Sequence, residues 1–147
     1  MDIQTMVDRA SEESAVRMNQ ERQELQAART AVATEIGDNG ALVREVLEGL
    51  SSRGLVRDVT VDEYPYTADR RWSGTPEGHV TGPRHLFEYS PAKGHVKRRA
   101  IVFLAEGARI STYEAGASGS GTQVRTYALT EKGIELFIRS ELFGLRA

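Results

Sequence analysis

The side chains whose types and spacing bear most directly on chemistry lie in the middle of the chain. His79, His85 and His95 are the only histidines, and all three fall in one irregular stretch. Their spacings match no tight zinc pattern, and there is no cysteine to complete one. They read as ordinary surface or hydrogen-bonded histidines. The adjacent carboxylates Glu12-Glu13 and Asp62-Glu63 read as solvated faces, and no Ser-His-Asp set is discernible. Gly116-Ala117-Ser118-Gly119-Ser120-Gly121 lacks the strand–loop–helix context and the lysine of a phosphate cradle, so it reads as a linker. No catalytic site, metal or cofactor is expected.

Charge gives a stronger signal. The net charge is −2, but residues 1–36 and 37–68 each sum to −3, residues 69–99 to +4 and residues 100–147 to zero. The basic region holds Arg70, Arg71, Arg84, Lys93, Lys97, Arg98 and Arg99. Such a local excess attracts phosphate or an acidic partner even on a slightly anionic molecule. Arginine forks suit phosphate, Gly94 permits close approach, and Trp72 supplies a ring for sugar or base. The competing reading places Lys97 and Arg99 on the solvated face of an alternating strand.

The elements that must position these groups follow from composition and period. A chain of 147 residues is sized for one domain with one core. Absence of cysteine fits a reducing compartment, and the acidic, mixed N-terminus is unlike a secretion signal. No stretch approaches the length of a membrane span. A cytoplasmic protein with no membrane contact is expected.

From Asp2 to Thr30 there is neither glycine nor proline, and Ala, Glu, Gln and Arg abound, so residues 1–29 read as a long helix. Its apolar positions are sparse, which suggests that it leans on a second copy or a partner. Residues 30–56 read as two helices around a Gly37-Asp38-Asn39-Gly40 turn. Leu42, Val43, Val46, Leu47 and Leu50 face one way on the second, Gly54 closes it, and a strand begins at Leu55. Residues 57–129 read as β-rich. Within them, 63–95 holds all four prolines and reads as loop with one strand, His85–Tyr89. VKRRAIVFL and ARISTYEA form a hairpin, and TQVRTYAL a further strand. Thr130 caps a closing helix over residues 130–147, whose Phe137 face is core or a dimer contact.

The residues around the expected turn fit a helix-turn-helix: Ala33 leaves room for a crossing helix, Val32 and Ile36 face inward, Gly37 starts the turn, and Val43 and Val46 return to the core. With Arg53-Gly54-Leu55-Val56 and Tyr127-Ala128-Leu129-Thr130-Glu131-Lys132-Gly133, the chain resembles winged-helix regulators of the MarR and PadR type over residues 29–62 and 122–140. The resemblance implies an α+β fold with a winged helix-turn-helix core, a long N-terminal helix and an enlarged β-rich wing or insertion. It also implies a dimeric, DNA-binding transcription regulator.

On that reading double-stranded DNA is the partner, met by Asn39, Arg44 and Arg53 of the motif and by Arg70, Arg71, Lys93, Lys97, Arg98 and Arg99 of the basic region. Dimerisation is expected through the helices carrying Leu25 and Phe137. Glu45 and Glu48 oppose the DNA reading, because they would repel the phosphate backbone. The alternative is a protein–protein interaction or assembly component, phage or chromosome-associated, with no direct DNA reading.

Overall fold

The computed structural model describes residues 1–92, 94–114 and 122–145. The chain is α+β: a helix α1 (Ile3–Ser52), strands β1 (Arg57–Thr67), β2 (His79–Tyr89), β3 (Lys97–Leu104), β4 (Gly107–Glu114) and β5 (Thr122–Ala128), then α2 (Glu131–Phe137). The five strands form one antiparallel sheet in the order β1-β2-β3-β4-β5. The Gly116–Gly121 linker lies outside the described residues.

The turn expected at Gly37–Gly40 is absent, and α1 runs unbroken through it for 50 residues. Neither Gly37 nor Gly40 adopts the positive φ of a left-handed turn residue, and Asn39 folds its side-chain amide back onto the Glu35 carbonyl at 3.0 Å. The physical reason lies in the buried stripe. Leu25, Val32, Val43, Leu47 and Leu50 are buried, and half-buried Ile36 packs against the core they join. This stripe keeps helical period straight across the glycines. Two glycines cost roughly 1 kcal/mol each relative to alanine inside a helix, and burial of the apolar face outweighs that. The separate second helix of residues 41–52 is thus the last part of α1.

Gly54 does close the helix, at φ 70°, with its N–H on the Ser51 carbonyl and the Leu55 N–H on Leu50. The stretch 63–95, expected to be mostly loop, contains the end of β1 and the whole of β2, paired with each other. Pro65 and Pro83 mislead because both sit where no ladder donor is needed: β1 is an edge strand, and β2 pairs with β3 only over Leu86–Tyr89, leaving Pro83 beyond that ladder.

The hairpin β3–β4 turns at Ala105–Glu106 as its sequence requires. Thr130 caps α2, its hydroxyl accepting from the Gly133 N–H at 3.2 Å. The expected closing helix is shorter than its apolar run, because after Phe137 the chain widens into a π-helical turn, Ile138–Leu142. Residues 25–52 of α1 and the segment from α2 onward pack on the sheet around Phe87, Tyr89, Ile101, Phe103, Ile110 and Phe137. The Phe137 ring stands edge-on to Tyr89 at 5.5 Å and to Tyr127 at 5.4 Å.

Candidate functional site

The basic region is largely neutralised within the chain. Arg71 bonds Asp69 and Glu24, each at 2.8 Å, and Arg98 meets Glu88 across the β2–β3 ladder at 3.2 Å. Arg84 is paired with Asp62 at 2.6 Å and lies over the Tyr64 ring at 4.5 Å, so the Asp62 carboxyl sits below its ordinary range, held there chiefly by hydrogen bonds from Arg84. Lys97 is half-buried near Glu141 at 3.9 Å. Lys93 lies outside the described residues. Of the expected phosphate contacts, Arg44, Arg53 and Arg70 are exposed. Arg44 and Arg53 lie at the end of α1 and Arg70 on the β1–β2 connection, and the recognition helix that would have aligned Asn39 and Arg44 does not exist as a separate element.

Arg99 is a correction. It was expected at a DNA surface or on a solvated strand face, yet it is 1% exposed. Strand alternation explains this: Arg99 shares its face of β3 with Ile101 and Phe103, the face that α1 and α2 cover. Its guanidinium bonds Tyr89 Oη at 2.8 Å and Glu141 at 3.5 Å, while Tyr127 Oη donates to Glu141 at 3.1 Å. The π turn is what swings Glu141 over the sheet to meet them. Burial first of all holds the Tyr89 phenol well above its ordinary range, against the opposing pull of Arg99. Tyr89, Arg99, Tyr127 and Glu141 together tie the π turn to the sheet, while the buried Arg99 Nη1 has no partner among the described residues. The burial of Arg99 was legible in its alternation with Ile101 and Phe103, which Lys97 and Arg98 directly before it disguised.

His79 Nε2 meets the Ser73 carbonyl at 2.5 Å, His85 is half-buried, and His95 is exposed. Among the described residues, no three His, Cys, Asp or Glu side chains gather as a metal site, and no helix is long and apolar enough to cross a membrane. Dimerisation was expected through the helices carrying Leu25 and Phe137, and these two side chains face their own fold. Both are buried in their own chain, at 7% and 0% exposure, with Leu25 beside Trp72 and Pro76 and Phe137 in the aromatic cluster.

What the fold leaves unpartnered is the first part of α1. Asp2 caps it, accepting from the Thr5 N–H at 3.2 Å. From Ile3 to Glu24 every residue is exposed except half-buried Glu21. Ile3, Met6 and Val7 are 63%, 56% and 55% exposed. At roughly 1.5 Å per residue this arm stands on the order of 33 Å beyond Leu25. A free helix of that length is marginal in water, but this one propagates from the packed part of α1, and Arg17–Glu21 supports it at 3.4 Å. The base is pinned: Arg71 bonds Glu24, and Arg29 donates to the carbonyls of Glu77, at 2.7 Å, and His79, at 2.5 Å. The sparse apolar pattern of residues 1–29 was the sequence signal for this arm.

The chain matches no family model, no curated protein and no solved structure.

Proposed function

We propose that the protein is a non-enzymatic interaction and assembly module, whose helical arm, residues 3–23, engages a protein surface. The observation that carries this reading is the arm itself, a helix whose Ile3, Met6 and Val7 stand exposed at helical spacing. Apolar residues grouped on an exposed helix gain free energy only when something covers them, at roughly 25 cal/mol per Å². The pinned base supports the same reading, since it fixes the direction of the arm and lowers the entropy lost on docking.

Duplex DNA, as the target of a winged-helix regulator, is the competing partner. It is disfavoured by the unbroken α1 and by the ion pairs that occupy Arg71, Arg84 and Arg98. Two measurements on the full chain separate the readings: sedimentation velocity of the native protein and of Ile3→Ser/Met6→Ser/Val7→Ser, and anisotropy of a labelled random duplex at low and physiological salt. The assembly reading expects association that the triple variant abolishes, with no salt-steep DNA binding. Tight, salt-steep duplex binding, together with a mass indifferent to the arm, overturns it.

A further inference from the structure

Two grooves flank α2, and their charges differ. The first, of about 830 Å³, has an apolar floor including Leu42, Val46, Ile134 and Ile138, but Glu45, Glu131 and Glu135 outnumber Arg53 around it. The second, of about 710 Å³, lies beside the edge strand β5 and is lined by Tyr127, Leu136 and Leu145 with Arg125 and Lys132. Among the described residues no carboxylate lines it. Leu136 and Leu145 are 38% and 48% exposed.

The arm tip has the complementary chemistry. Ile3, Met6, Val7 and Ala10 stand at i, i+3, i+4 and i+7, a single stripe of the kind that seats a helix in an apolar groove. Asp2 and Glu13 flank the stripe, Asp8 and Glu12 lie on the opposite side of the helix, and Arg9 is the one basic residue among them. An acidic amphipathic helix is repelled by the carboxylate-rimmed groove and attracted by the basic one. The tip is also kept from its own groove, because α1 has no break at which to fold back.

Building on the arm reading above, we infer that the arm tip of one copy docks in the β5–α2 groove of a second copy. Apolar side chains of Ile3, Met6 and Val7 cover Leu136 and Leu145, and Lys132 meets Glu13, which stands two turns from Met6 at the edge of the same face. Exchange of arms in both directions gives a two-fold dimer, and exchange in one direction gives a chain of copies.

The protein has no cysteine, so single-cysteine variants report the contact cleanly. Met6→Cys is mixed with Leu136→Cys under mild oxidation, and in parallel with Ile134→Cys, which faces the acidic groove. The 6–136 disulfide should form several-fold faster than the 6–134 one, fall to that level when Lys132→Glu is added to the Leu136→Cys variant, and recover when Glu13→Lys is added to the Met6→Cys variant. Equal rates for the two pairs overturn the groove assignment. In that event, a native mass above the monomer that Ile3→Ser/Met6→Ser/Val7→Ser abolishes leaves the arm reading standing, whereas a monomer unaffected by those changes removes both.

Discussion

Arg71 Nη2 lies 2.8 Å from Glu24 Oε2, and this bond between the β1–β2 connection and α1 marks where the packed domain ends and the arm begins. The pair is about half exposed on both sides, so solvent screens it and it adds little to stability. Its role is positional. Amide hydrogen exchange along α1 should therefore be sharply divided: residues 6–20 exchange rapidly, while those around Val32, Val43 and Leu47 exchange only with global unfolding. Slow exchange across the arm at low protein concentration contradicts this division.

The glycines discriminate an unbroken helix from a helix-turn-helix. An added Cβ at Gly37 meets nothing within 4 Å, so Gly37→Ala should stabilise the protein by about 0.5–1 kcal/mol in urea denaturation. A turn glycine at positive φ would give a loss instead.

Gly78→Ala and Gly133→Ala should destabilise strongly, by several kcal/mol. A Cβ at Gly78 falls 1.9 Å from the Trp72 carbonyl oxygen, and one at Gly133 falls 2.0 Å from that of Ala128. Both neighbours are backbone and cannot swing aside. Expression yield and the urea midpoint read the effect.

These positions also show how far the residues could be read before folding. Thr130 with Gly133 announced the α2 cap, and the alternation around Ala105–Glu106 announced the β3–β4 hairpin, because both signals are local. Gly37 and Gly40 misled because their cost is local while the stripe that overrides it, from Leu25 to Leu50, spans seven turns of helix (at 3.6 residues per turn). Pro65 and Pro83 concealed long strands because only the strand order reveals that their missing N–H groups face no partner. The arm was legible only as a weakness, a helix too polar to pack, and its anchor depends on Arg71 and Arg29 finding it across the fold.

Arg99→Ala should lower stability by roughly 3–5 kcal/mol, because it takes the buried cation from the Glu141 carboxylate and leaves it to the Tyr89 and Tyr127 hydroxyls and the more distant Lys97. Arg99→Lys should recover little, since a single ammonium cannot reach both partners in the geometry of the fork. A DNA-contacting role at the surface would instead leave the unfolding midpoint nearly unchanged.

His85 gives the fold an acid sensitivity. Burial first, and then the nearby Arg44 charge, hold its imidazole below the ordinary value of 6.5. The unfolded chain therefore binds a proton that the folded chain refuses. This contribution to stability is complete above pH 6.5 and is lost as pH falls through the lowered folded value. Thermal midpoints at pH 7.5 and 5.5 should differ more for the native chain than for His85→Gln.

Sedimentation velocity of the full chain beside Ile3→Ser/Met6→Ser/Val7→Ser, at matched concentrations and with thermal unfolding of both recorded, tests the arm most directly. The account expects the native protein to sediment above its monomer mass, the variant to sediment as a monomer, and the two to unfold at the same temperature, because those three side chains are exposed in their own fold. Identical sedimentation of the two proteins, with the native chain monomeric, contradicts it.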